Sequence, residues 1–329
     1  MILSICIPTY NRAELIKETL DSIIRELEEG VEVVVCDNGS SDHTEKVVDS
    51  YRSKIPHLLF FRFPENQGVD RCFLKSIAIA KGAYCWLMGS DDRLEPGGVH
   101  RILHILNTVP DLAGISVNVK PYDALFQKAL IVRKSPPFPN DCLIEKFSLF
   151  FPSLYLYAGY LSGQVVKREL WQDIVSTKPV SQFFNCYSLV YIITSMFERK
   201  TRWFYIHTPC VGYRADNDSF LDRGAFRRLV IDIKGFSDIL KAWFQPKDIL
   251  YKKTMDALAQ VDITWRLLRA RTSGAEKQFW KNSWFLCWQH YAHRPVFWHR
   301  LVLFFILPSF FWKGLRFLYR QTIKSEPRP

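Results

Sequence analysis

The chain has 329 residues, 48% of them hydrophobic and 15% aromatic, enough to bury a sizeable core in one large domain and carry an appendage. No internal repeat, low-complexity tract or flexible linker interrupts it, which argues against a solenoid or a disordered scaffold. The net charge of +11 is uneven: residues 1–110 hold 12 Lys/Arg against 16 Asp/Glu, whereas residues 223–329 hold 20 against 7.

Leu3–Ile7, Val31–Cys36, Leu58–Phe63 and Tyr84–Met88 are short runs rich in β-branched and aromatic residues, and they read as strands. Between them Leu15, Ile16, Ile23, Ile24 and Leu27 recur with helical spacing, as do Val47, Val48 and Tyr51, and then Cys72, Phe73, Ile77 and Ala80. This alternation predicts an α/β fold with a doubly wound, mainly parallel, Rossmann-like sheet. The opening Met1-Ile2-Leu3-Ser4 lacks the basic start and long apolar region of a secretory leader, and is better used as the first strand. The eight cysteines form no C-x-x-C pair; Cys6, Cys36 and Cys85 fall on expected core strands, consistent with reduced thiols in a cytoplasm.

Each strand runs into a short polar segment: Pro8-Thr9-Tyr10-Asn11-Arg12, Asp37-Asn38-Gly39-Ser40-Ser41-Asp42, Glu65-Asn66-Gln67-Gly68 and Gly89-Ser90-Asp91-Asp92. In such sheets ligands bind outside the carboxyl ends of the strands, so the four segments are expected to line one cleft. A plainer reading makes them ordinary turns, with Asp42 and Glu45 forming a capping box. That reading leaves Asp91-Asp92 unexplained, because adjacent carboxylates at the end of a buried strand repel and are costly to desolvate. A divalent cation is the simplest compensation. Oxygen-only ligation favours Mg2+ or Mn2+, held by one or two carboxylates together with substrate phosphates.

As an ordered set, these four segments resemble the nucleotide-sugar-binding half of a GT-A glycosyltransferase of the large inverting family 2, over roughly residues 1–115. The resemblance implies a donor half at 1–115, an acceptor and catalytic half at 116–225, and a separate region at 226–329. It implies that Pro8, Thr9 and Tyr10 turn around the base and ribose, with Arg12 and Asn38 in the same donor-binding segments. Asp37 matches the acid that hydrogen-bonds the base. Asn66 and Gly68 match an asparagine-x-glycine turn, and Arg71 a basic residue near the donor. Ser90, Asp91 and Asp92 match the acidic metal motif: Asp92 would bind the metal on the diphosphate, and Asp91 would contact ribose or sugar as the second metal candidate. Ser90 departs from the motif's first acid. The asparagine commonly following the arginine is absent, with Phe73 and Lys75 nearby, which leaves the sugar-side contacts open.

Expelling a nucleoside diphosphate develops negative charge that cations stabilise, and the attacking hydroxyl needs one general base. The resemblance implies a base in an acidic pair beginning a helix of the second half, yet Gln182–Ser188 holds no carboxylate. Asp216 and Asp218, in the polar stretch Tyr213–Ser219 after an apparent strand Trp203–His207, are the base candidates, with Arg214 a diphosphate or acceptor contact. The plainer alternative is a capped turn entering a helix near Leu221. His207 is read either as a third metal ligand or as a structural histidine.

Towards the C terminus aromatics such as Trp280, Trp284, Phe285, Trp288, Trp298, Phe310 and Phe311 alternate with Lys281, Arg294, Arg300, Lys313, Arg316 and Arg320. The longest uncharged run, Leu301–Trp312, is too short to span a bilayer. Trp with basic residues suits the interface of an anionic membrane, so a helical, monotopic attachment is expected, with packing onto a core as the alternative. No nucleic-acid module is visible. Leu250, Met255, Leu258, Val261, Trp265 and Leu268 make a further helical stripe, read as core. With such a tail, the resemblance to family 2 implies a metal-dependent transferase moving one sugar from a nucleotide-sugar to a polyprenyl-diphosphate-linked saccharide at the inner face of a bacterial plasma membrane, most similar to abequosyltransferase-like O-antigen enzymes. A sugar-phosphate nucleotidyltransferase would want a Gly-rich loop after the first strand, where Pro8-Thr9-Tyr10-Asn11 stands. A non-catalytic scaffold would not need Asp37, Asn66, Asp91 and Asp92 together.

Overall fold

The computed structural model describes residues 1–130, 136–184, 187–215, 217 and 224–314. The chain separates into two units, Met1–Asn217 and Asp218–Pro329.

In the first unit β1 (Leu3–Thr9) and β2 (Val31–Asp37) are buried along their whole length, as near-continuous Val/Ile/Leu runs demand when helices cover both faces of a parallel sheet. β3 (Leu58–Arg62) and β4 (Tyr84–Leu87) complete the parallel part; Ile5 lies opposite Val33 on one side and Trp86 on the other. The crossovers are α1 (Ala13–Glu26), α2 (Thr44–Asp49) and α3 (Val69–Ile79). α1 buries Ile16, Leu20 and Ile23 against the sheet, while Ile24 and Leu27 stay partly buried at its margin. β5 (Arg93–Leu94) and α4 (Gly98–Thr108) follow, then β6 (Gly114–Tyr122), β7 (Cys142–Ile144), β8 (Gln164–Lys167), α5 (Arg168–Thr177), α6 (Ser188–Arg199) and β9 (Trp203–Arg214). The strand order is β3-β2-β1-β4-β8-β6-β9-β5, with β7 paired to β9. The sheet is thus parallel in its first half and mixed beyond β4, where β8 runs antiparallel to both β4 and β6.

Two sequence expectations change here. The strand expected over Trp203–His207 continues to Arg214, so Tyr213 and Arg214 are strand rather than loop. β6 follows it past an irregularity at Val117/Val119, and the partner of Val117 is Ile206 while that of Val119 is Val211. Pro209, without an N–H, falls in that extra stretch. Nor does Glu45 close a capping box: its carboxylate pairs with Arg62 at 2.5 Å, and Asp42 alone accepts the Thr44 N–H at 3.0 Å and the Ala13 N–H at 3.1 Å. Asp42 therefore ties the start of α1 to that of α2.

The second unit is helical in its described residues, with its longest helix at Lys277–Tyr291 and a core that includes Met255, Leu258, Ile263, Leu267, Leu286, Tyr291 and Phe297. The expected stripe holds at Met255 and Leu258 but not at Val261, which is exposed. A π-helical turn at Ala259–Ile263 advances the register, so Ile263 and Leu267 face inward instead. No described helix is long and apolar enough to cross a membrane.

Candidate functional site

The strand-end segments converge through their own side chains. At the end of β1 the Thr9 carbonyl accepts the Asn38 N–H at 2.8 Å, joining the first two turns. Asn11, held at φ 50, accepts the Ser41 N–H at 2.8 Å on its side-chain oxygen, and its own N–H donates to the Ser40 hydroxyl at 2.8 Å. Asn38 then reaches the third segment: its amide donates to the Asn66 oxygen at 2.9 Å, and its oxygen accepts the Gln67 N–H at 2.9 Å. Gly68 adopts φ 88 and donates its N–H to the Asn66 side chain at 2.9 Å. Pro8, Thr9, Tyr10, Asn38, Asn66 and Gly68 thus belong to one carboxyl-end surface, on which Tyr10 is exposed and the buried Thr9 hydroxyl has no hydrogen-bond partner among the described residues.

Asp37, expected to hydrogen-bond the base, is buried at the end of β2. Its side chain has no exposed surface; the Ser40 hydroxyl donates to it at 2.5 Å, and Arg62 Nε lies 3.6 Å away. Burial raises its pKa despite those donors. The carboxylate organises the turn that follows β2. Arg71 is exposed on the first turn of α3, where it donates to Gln67 at 3.2 Å.

The acid pair follows β4, at the switch between the parallel and antiparallel parts of the sheet. A Cβ at Gly89 would crowd the pair, standing 2.9 Å from Asp92 Oδ2, 3.0 Å from Asp91 Oδ1 and 3.2 Å from the Ser162 hydroxyl. Ser90 and Asp92 are buried. Asp91 Oδ2 is met by Arg12 at 2.5 Å and by the Asn217 amide at 2.5 Å. Among the described residues Asp92 has no cationic partner of this kind. Its Oδ2 accepts from Tyr160 at 2.7 Å and Ser162 at 2.5 Å, and its backbone carbonyl accepts from Thr19 at 2.7 Å. Desolvation, and then the charge of Asp91, push the Asp92 carboxyl up to about 7. A desolvated, un-neutralised carboxylate beside a second one, with oxygen donors around it, fits a hard divalent ion that takes its remaining ligands from substrate phosphates. Among the described residues no group of three His, Cys, Asp or Glu stands together as a metal site.

Two other candidates have structural partners. Arg214 is buried; its guanidinium pairs with Glu18 at 2.8 Å and donates to the Ala124 carbonyl, while Glu18 also pairs with Arg93. The Phe126 ring lies against both guanidinium groups, at 4.2 Å from Arg93 and 4.6 Å from Arg214. Arg214 thus ties β9 to α1 and, through Glu18, to Arg93 beside the acid pair; the sequence suggested a diphosphate or acceptor contact. His207 donates its backbone N–H to Asp141 at 2.7 Å and sets Nδ1 3.0 Å from the Phe138 carbonyl, which makes it a structural histidine at the irregular part of β9. Asp216 and Asp218 lie outside the described residues; Asn217 between them is the residue that reaches Asp91. Tyr160, Ser162 and Asn217 escaped sequence reasoning. They stand 68, 70 and 126 positions from the acids they touch, with no local motif to mark them.

The fold is that of the GT-A glycosyltransferases, as known structures bear out. TarS residues 1–349 from S. aureus, solved with UDP-GlcNAc, superposes with a TM-score of 0.62 at 13% identity, covering 88% of this chain and 82% of that one. The mannosyltransferase PcManGT of Pyrobaculum calidifontis, solved with GDP-Man and Mn2+, gives 0.56 at 17% identity, covering 89% and 81%. At such identities the likeness is one of fold. Sequence carries the assignment further: residues 4–145 match Glycosyl transferase family 2, and the abequosyltransferase RfbV of Salmonella typhimurium is 30% identical over 281 residues, 80% of this chain and 82% of that relative. The chain belongs to glycosyl transferase family 2 and is a glycosyltransferase.

Proposed function

We propose that the protein moves one sugar, with inversion, from a nucleotide-sugar to a polyprenyl-diphosphate-linked saccharide in O-antigen or related surface-polysaccharide synthesis. The supporting observation is Asp92, a buried carboxylate without a cationic partner among the described residues, at the switch point of the sheet, its pKa raised to about 7. Asp92, with Asp91 beside it, would hold a Mg2+ or Mn2+ ion, which supplies Lewis-acid stabilisation of the departing diphosphate. The Mn2+ in the PcManGT complex supports a divalent ion, and the relation to RfbV supports the O-antigen setting.

The remaining steps fall to the chain's own groups. Pro8, Thr9 and Tyr10 would carry the base and ribose: Tyr10 offers an exposed ring, and the Thr9 hydroxyl a donor with no hydrogen-bond partner among the described residues. Asn38, Asn66 and Gly68 hold the turn that shapes this surface, and Arg71 adds positive charge beside it. Arg12 would keep Asp91 oriented and charge-balanced. Asp216 or Asp218 would take the proton of the acceptor hydroxyl; both flank Asn217, whose amide reaches Asp91.

Membrane attachment is the second part of the proposal. Phe285, Trp288 and Trp298 are 60%, 45% and 54% exposed, and Trp288 and Trp298 continue a run of ring contacts through Trp284, Phe297 and Phe305. Lys281, Arg300 and Lys313 are exposed in the same unit, a composition suited to the anionic inner leaflet. Arg294, counted with these cations in the sequence, is instead buried against Asp256 at 3.0 Å. Incubating the protein with radiolabelled UDP-, GDP-, dTDP- or CDP-sugars, bacterial membranes and Mn2+ should move label into the organic-extractable lipid fraction. Label that stays in the aqueous phase with every donor would refute the acceptor assignment.

A further inference from the structure

β8 runs antiparallel to β4, with Val165 opposite Trp86, so the residues leading into β8 must sit beside the end of β4. Those residues are Tyr160 and Ser162, in and just before the short 3-10 turn Leu161–Gly163. Ser162 is locked from three directions. Its carbonyl accepts the Trp86 indole N–H at 2.8 Å, its hydroxyl accepts the Gly89 N–H at 2.8 Å, and the same hydroxyl donates to Asp92 Oδ2 at 2.5 Å. Tyr160 adds a second donor to that oxygen at 2.7 Å, its ring standing edge-on to Tyr213 at 5.7 Å.

The two acids are therefore treated differently. Asp91 meets a guanidinium, which cancels its charge. Asp92 meets two neutral hydroxyls, which fix its rotamer and satisfy one oxygen while adding no positive charge. A carboxylate has about four lone-pair sites, so two hydroxyls on one oxygen and the Arg214 backbone N–H still leave room for a further partner. Outer groups that orient a ligand in this way set the affinity of a metal site.

We propose that Tyr160 and Ser162 are positioning residues that aim the Asp92 carboxylate at a divalent cation and set its affinity. This rests on the metal reading above. Neither hydroxyl meets the sugar; both act through Asp92.

The test uses the full chain and Mn2+, titrated with UDP, GDP, CDP or dTDP present in turn, with free Mn2+ read by electron paramagnetic resonance. Tyr160→Phe, which removes one oxygen and keeps the ring, should weaken Mn2+ binding about 10–100-fold while leaving the metal-free melting temperature near wild type. Ser162→Ala also removes the Gly89 contact and is expected to lower both. Ser162→Thr, which restores a hydroxyl, should recover the Mn2+ affinity. Unchanged affinity in Tyr160→Phe overturns the assignment alone. A wild type that retains no Mn2+ with any of the four nucleotides overturns the metal reading, and this assignment with it.

Discussion

The Asn217 amide donates to Asp91 Oδ2 at 2.5 Å, tying the residue between Asp216 and Asp218 to the acid pair at the end of β4. A hydrogen bond to a charged group contributes about 1.5–3 kcal/mol. Asn217→Ala should therefore lower kcat/KM for transfer by about tenfold or more, and Asn217→Asp by more still, because it sets a like charge against Asp91. Steady-state kinetics on purified variants checks this. Unchanged turnover in both would remove Asn217 from the account.

The pH dependence has a definite sign. Asp92 rises from the ordinary 3.8 to about 7, chiefly through burial and then through Asp91. A raised carboxyl favours the folded state while protonated; that contribution is complete below 3.8 and is lost as pH climbs through about 7. Metal-free protein should thus gain stability from this group at pH 5 relative to pH 8, and Asp92→Asn should flatten that difference in thermal melts. A cation must displace the same proton, so Mn2+ affinity should fall by up to about tenfold per pH unit below the raised pKa.

Gly39 combines φ 76 with a blocked Cβ position, 2.7 Å from the Glu65 backbone carbon. Gly39→Ala would force apart the second and third strand-end segments, at a cost of about 2–3 kcal/mol. A lowered melting temperature with weakened nucleotide binding is expected. A melting temperature equal to wild type would show that the turn yields freely.

Replacing Phe285, Trp288 and Trp298 together by Ser removes exposed aromatic surface without opening the core. Flotation with anionic vesicles should show the triple variant shifted to the unbound fraction and its fold retained by circular dichroism. Full retention on vesicles would assign membrane contact to another surface.

How much of this the sequence made legible depends on the range of each interaction. β1 to β4, their crossover helices and the Asp91-Asp92 pair were readable because periodicity and strand-end polarity are local. β9 was cut short at His207 because its continuation depends on pairing with β6 and β5, not on its own composition. Glu45 missed its capping box because Arg62, an exposed cation on the neighbouring strand, offered a stronger partner. Arg214 reads as a free cation in a polar stretch; only the fold brings Glu18 to it from α1. Tyr160 and Ser162 were invisible for the same reason, since the antiparallel return of β8 alone delivers them to Asp92. The stripe around Val261 failed at a π-turn, which no fixed helical period anticipates.

The central claim, a cation on Asp92 that holds the donor diphosphate, is tested most directly by calorimetry with UDP-, GDP-, dTDP- and CDP-sugars, in Mn2+ and in EDTA, on wild type and Asp92→Ala. One donor class should bind wild type in Mn2+, with binding abolished both by EDTA and by the substitution in a folded protein. Donor binding of equal strength in EDTA, or in Asp92→Ala with Mn2+, would contradict it.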